Sequence, residues 1–207
     1  FSPDGRRIVV GAAETTRVYD SMTGADLLTL KGHSSVTVAR FSPDGRRIAT
    51  GGFDSTVRVW DAVDGRQLVV LKGHASVVSR VAFSPDGQRL ATGSQDPASV
   101  SDTTVRIWDL TRDVAAIAVQ GQSNHFHYGA FSPDGQRIVT TSTNGVVKVW
   151  DASSGRELLT FREHDSRAVI EGFSPDGQWV ITRSKRQGPK VWEIATGKEA
   201  LNLGRYG

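Results

Sequence analysis

Imidazole, hydroxyl and carboxylate groups recur in one order along this chain. His33, Thr50 and Asp54 are followed by Trp60, and His74, Thr92 and Asp102 are followed by Trp108. These are the ingredients of a hydrolase triad, in which a carboxylate orients an imidazole that activates a hydroxyl. The same groups can instead close a hydrogen-bond chain. A buried indole N–H needs an acceptor, a Thr hydroxyl accepts it and donates to one His nitrogen, and the other His N–H donates to Asp. The second reading is the stronger, because an active site is needed once and a hydroxyl engaged by an indole is a poor nucleophile. Partial copies say the same. Gln122, Thr140, Asn144 and Trp150 form a neutral version, and His164, Thr182 and Trp192 lack the acid, with Arg186 in its place. Val9, Ala13 and Tyr19 stand where a fifth copy would be and cannot form the chain at all. A structural tetrad is therefore expected at each full set, and no catalytic residue.

The elements that must position these groups are repeats. F-S-P-D-G opens at Phe1, Phe41, Phe83, Phe131 and Phe173, at spacings of 40, 42, 48 and 42 residues. An aromatic-acidic pair follows each: Tyr19-Asp20, Trp60-Asp61, Trp108-Asp109, Trp150-Asp151 and Trp192-Glu193. In the unit Gly32 to Asp61 and just beyond it, four short strands are expected at Val36 to Phe41, Arg47 to Gly51, Val57 to Trp60 and Leu68 to Leu71. Ser42-Pro43-Asp44-Gly45 reverses the first strand, since Pro presets φ, Ser or Asp bonds back to the backbone, and Gly takes positive φ without a Cβ clash.

A period in the forties with a Gly-His…Trp-Asp frame is the signature of propeller blades. On these residues the chain resembles the WD-repeat family, in the manner of bacterial members rich in F-S-P-D-G. The resemblance implies an all-β fold, a β-propeller of four-stranded antiparallel blades. It spans the whole chain as one segment: a partial blade at 1–31 and full blades at 32–72, 73–120, 121–162 and 163–207. Family propellers close with about seven blades, so this one is expected to be incomplete, with self-association through its open ends or further blades in a longer parent. In the family the tetrad locks the blade, and partners are met on the loops before the first strand and after the second. Carried over by the frame, those contact positions are Ser35, Thr37 and Phe53; Val77, Ser79 and Ser101; His125, His127 and Thr143; and Arg167, Val169 and Lys185. Phe53 stands out, because a large apolar residue at a turn tip is costly to expose and useful as an anchor; it could instead tuck against a neighbouring loop.

Composition narrows the rest. The 25 Lys and Arg are mixed with 22 Asp and Glu for a net charge of +3, so nucleic acid is not implied. The absence of Cys excludes a disulfide scaffold, thiolate catalysis and a Cys-based zinc site, and fits a cytoplasmic, reducing compartment. No apolar run is long enough to span a membrane as a helix. His125 and His127 fall on one side of a strand, as two metal ligands would, but no third ligand can be placed, so no metal is expected. No phosphate loop, dinucleotide fingerprint or nucleophile elbow occurs, and no cofactor is expected. The chain starts inside a repeat without an initiator Met, which points to a fragment of a larger protein.

Two local departures remain. Ser94 to Ser101 lengthens one turn and accounts for the spacing of 48 residues, while Arg183, Lys185, Arg186 and Lys190 crowd basic charge near another turn. Each could contact a partner or be a solvated surface feature. Function is accordingly expected to be that of a non-catalytic protein-interaction platform, a scaffold or sensor module of a multidomain protein. The competing reading is a propeller enzyme acting on a small molecule at the central channel, for which only His125 and His127 offer channel-side chemistry.

Overall fold

The computed structural model describes residues 1–94, 104–111, 116–119, 126–162, 168–184 and 188–204. Nineteen strands are assigned, and no helix occurs among the described residues. They pair into five separate antiparallel sheets. The first has three strands, β1 (Arg7–Ala12), β2 (Thr15–Asp20) and β3 (Asp26–Lys31). The second runs β4 (Val36–Phe41), β5 (Arg47–Gly52), β6 (Thr56–Asp61) and β7 (Gln67–Lys72). The third is β8 (Val78–Phe83), β9 (Arg89–Ser94), β10 (Val105–Asp109) and β11 (Ala116–Val119). The fourth is β12 (Phe126–Phe131), β13 (Arg137–Ser142), β14 (Val146–Asp151) and β15 (Glu157–Arg162). The fifth is β16 (Ala168–Phe173), β17 (Trp179–Ser184), β18 (Lys190–Glu193) and β19 (Glu199–Asn202). Strand order follows chain order in every sheet, so each is a meander, and together they form an incomplete propeller. In the second blade β4 has the expected bounds, and β5, β6 and β7 exceed theirs by one residue at one or both ends.

The F-S-P-D-G reversal works as its residue types require. The Arg47 N–H donates to Ser42 Oγ at 2.9 Å, and the Ser42 hydroxyl donates to Asp44 Oδ1 at 2.5 Å. Gly45 closes the turn with its N–H on the Ser42 carbonyl at 2.9 Å, and its φ of 68° is in the region that favours glycine. The same Ser–Asp bond recurs at Ser84, Ser132 and Ser174.

The apolar cores form between blades and not within them. Val18 and Leu30 of the first blade are buried with Ile48, Trp60 and Ala62 of the second. Ala49, Val57, Val59 and Leu71 of the second are buried with Val78, Val81, Leu90 and Trp108 of the third. Fully burying a side chain such as Ile48 contributes about 1.5–3 kcal/mol, which each blade gains only from its neighbour. Arginines fasten the seam. From β1, Arg7 donates to the carbonyl of Gly45 at 2.8 Å and to that of Ala62, and its guanidinium lies 5.1 Å from the centre of the Phe41 ring. Arg47 repeats this one blade on, donating to the Gly87 carbonyl at 2.8 Å.

Candidate partner-binding face

In the second blade the four tetrad residues meet. Trp60 Nε1–H donates to Thr50 Oγ1 at 2.9 Å, Thr50 Oγ1 is 2.8 Å from His33 Nε2, and His33 Nδ1 is 2.8 Å from Asp54 Oδ1. One direction satisfies every group: Thr50 donates to Nε2, and Nδ1–H donates to the carboxylate. Asp54 also accepts from the N–H of Thr56 at 3.2 Å and its hydroxyl at 2.9 Å. Burial acts on the Asp54 carboxyl most strongly and pushes it up, but the bonds from His33 and Thr56 together outweigh it, leaving the group below its ordinary value.

In the third blade the described members of the set come together in the same order. Trp108 Nε1–H donates to Thr92 Oγ1 at 2.8 Å and Thr92 meets His74 Nε2 at 2.7 Å, while His74 Nδ1 faces Thr104 Oγ1 at 3.1 Å. Asp102 lies outside the described residues. Burial, followed by the nearby Arg106 charge, pushes the His74 imidazole down to about 4. Thr104 is a tetrad neighbour that the sequence reading missed; its place, four residues before the Trp as Thr56 is in the second blade, was the available signal. In the fourth blade the Trp150 indole donates to Thr140 at 2.8 Å, and Asn144 accepts from Ser142. In the fifth the Trp192 indole donates to Thr182 at 3.0 Å. Gln122, His164 and Arg186 lie outside the described residues. Among the described residues, the Trp-to-Thr bond is the part of the tetrad seen in four blades.

The turn fixed by Asp54 carries Phe53, which is 56% exposed. Its backbone N–H donates to the Ser35 carbonyl at 2.9 Å, joining the loop before β4 to the turn after β5. Ser55 completes this turn at a φ of 60°. Thr37 is exposed, yet its hydroxyl donates to the Gly51 carbonyl at 3.0 Å and to the Val78 carbonyl of the next blade, so it braces two blades. Val77, Thr143 and Val169 are half-buried, and the half-buried Ser79 has its hydroxyl oxygen out of solvent with no hydrogen-bond partner. Ser101, His125, Arg167 and Lys185, and the side chain of His127, lie outside the described residues, as does most of the long turn after Ser94. Among the described residues, no three His, Asp or Glu side chains converge as a metal site would need. No helix among them is long and apolar enough to cross a membrane.

Meandering antiparallel blades, cores between blades and indole-to-Thr bonds under the exposed turns define a WD-repeat β-propeller. The profile of the IFT122 first beta-propeller family matches residues 1–204, and the chain belongs to that family. Over 58 residues it is 38% identical to the intraflagellar transport protein 122 homolog of Xenopus tropicalis and to that of Homo sapiens, and 36% identical to that of Danio rerio. The aligned stretch is 28% of this chain and 5% of each relative, so the chain matches only a small part of their length. All three relatives are vertebrate proteins, and the bacterial character read from F-S-P-D-G gains no support from them.

Proposed function

We propose that this arc of WD blades is a non-catalytic platform that binds protein partners through the loop face centred on Phe53. The observation that carries the reading is the pairing of an exposed aromatic with a pinned turn: Phe53 is 56% exposed while Asp54 beside it is bonded to His33 and Thr56. A rigidly presented aromatic loses little freedom on binding and serves as an anchor. Ser35, Thr37, Val77, Ser79, Thr143, Ser101, His125, His127, Arg167 and Lys185 form the wider face in this reading. The relatives are named for intraflagellar transport, and a scaffold role within a larger, multidomain assembly follows for this chain by that likeness. A cytoplasmic setting suits a chain without Cys.

A second reading, self-association through the two end faces, rests on their exposed apolar residues. Val10 and Leu27 on the first blade are 43% and 46% exposed, and Ile181, Leu201 and Leu203 on the fifth are 37%, 57% and 52% exposed. Capture on immobilised chain tests the platform: a partner held by the wild type should be lost with Phe53→Ala at an unchanged melting temperature. Equal capture by both proteins contradicts the reading. Light scattering tests the second reading, which a strictly monomeric chain contradicts.

A further inference from the structure

One position in every blade carries a cation, two residues before the aromatic of the repeat frame: Arg17, Arg58, Arg106, Lys148 and Lys190. In four blades it reaches a side chain on the outer strand. Arg17 pairs with Asp26 at 3.0 Å, Lys148 with Glu157 at 2.6 Å and Lys190 with Glu199 at 2.9 Å, while Arg58 donates to Gln67 at 2.5 Å. The strand register explains the repetition. Asp26 lies directly across from Tyr19, Gln67 from Trp60, Glu157 from Trp150 and Glu199 from Trp192. Across from Trp108 in the third blade stands Ala116. A methyl group cannot accept a hydrogen bond, so this rung keeps its cation and lacks its acceptor.

No other described residue takes the acceptor's place. Arg106 is half-buried, forms no hydrogen bond or ion pair with any described residue, and has its Nε out of solvent without an acceptor. Arg58 also has an unbonded Nε, but its terminal nitrogens meet Gln67 and, at 3.6 Å, Asp54. The Arg106 guanidinium is nevertheless held in place. A Cβ on Gly73 would come within 3.3 Å of its Cζ, so it lies against the bare backbone of the loop entering the third blade. Lys72, next to Gly73 in the chain, is exposed and adds positive charge to the same seam. The Arg106 charge is felt by the buried His74, which it helps to keep neutral.

We propose that Arg106 takes its carboxylate from outside the chain, from an Asp or Glu side chain of a protein partner docked on the outer strands of the third blade, in the place that Glu157 and Glu199 fill in their own blades. The chemistry of the occupant is set by the repeat itself: three of the four filled rungs use a carboxylate, and the planar fork of a guanidinium matches one. This rests on the platform reading and adds to it an acidic contact separate from Phe53.

The test follows the Arg106 Nε–H resonance of the isotope-labelled chain by NMR, identified by its loss in Arg106→Lys. The probes are a blocked pentapeptide of Ala with one central Glu, its Gln counterpart, and inorganic phosphate at matched ionic strength. The Glu peptide should move the resonance saturably, and the Gln peptide should need about tenfold or more higher concentration, as expected for the loss of a charge-assisted bond. Ala116→Glu should fill the rung from within: the resonance should be displaced without peptide and no longer respond to it, and the melting temperature should rise by about 1–4 °C. No response to the Glu peptide, or equal responses to the Glu and Gln peptides, overturns the proposal. So does a folded Ala116→Glu chain with an unmoved resonance and melting temperature, because Arg106 would then already be paired. A response to phosphate without one to the Glu peptide also overturns it, since the site would serve a small anion. If the proposal falls while a protein is still captured through Phe53, this contact alone is removed and the platform reading stands.

Discussion

His33 Nδ1 and Asp54 Oδ1 lie 2.8 Å apart, and this bond ties the loop entering the second blade to the turn that carries Phe53. The tetrad therefore couples the buried Trp60 indole, through Thr50 and His33, to the position of an exposed aromatic.

Asp54→Ala should act on both ends of that connection. It strands the His33 N–H and frees the turn, so denaturant unfolding should show a loss of about 1–3 kcal/mol. Partner capture should fall as well, although Asp54 itself is not the proposed contact. A variant as stable as the wild type would mean that the bond does not hold the turn.

The third blade gives a pH dependence with a definite sign. The His74 imidazole is pushed down to about 4 in the folded chain by burial and by Arg106, while an unfolded histidine titrates near 6.5. Protonation therefore favours the unfolded state. The stability tied to His74 is full above about pH 6.5 and is lost as pH falls toward about 4, on the order of 3 kcal/mol in all. Urea unfolding between pH 8 and pH 4 should show this decline in the wild type and a flatter profile in His74→Gln. Parallel profiles would contradict the assignment.

The arginine seam predicts a cost with no loss of apolar area. Arg7→Met keeps much of the contact with Phe41 but removes the donors to the Gly45 and Ala62 carbonyls. A destabilisation of about 1–3 kcal/mol is expected from the stranded acceptors, whereas Arg6→Met, on an exposed neighbour, should change stability by less than about 0.5 kcal/mol. Hydrogen exchange should quicken first in β1–β3. Equal effects of the two substitutions would show that the seam carries no energy.

The repeat, the reversals and the strand positions were legible because each rests on residue types with one local use: Pro43 and Gly45 for the turn, β-branched and apolar runs between turns for the strands, Trp60 for the repeat frame. The Arg7 seam was not legible, because an Arg after a turn reads as a solvated charge until the next blade brings the Gly45 and Ala62 carbonyls to it. Thr104 left only the faint signal of matching Thr56 in its distance from the Trp, and its place opposite His74 is fixed by the fold. At the candidate face the sequence named Thr37 by its loop position, but the fold commits its hydroxyl to the Gly51 and Val78 carbonyls.

The central claim, that partners dock on the Phe53 face, is met most directly by photo-crosslinking with a benzophenone-bearing phenylalanine analogue at position 53 or, as a control, at Leu68 on an outer strand. Leu68 is 41% exposed, so the two probes are similarly accessible to chance encounters. The account predicts one discrete protein adduct from position 53 and none from position 68. Equal adducts from both positions, or an adduct from position 68 alone, would contradict it.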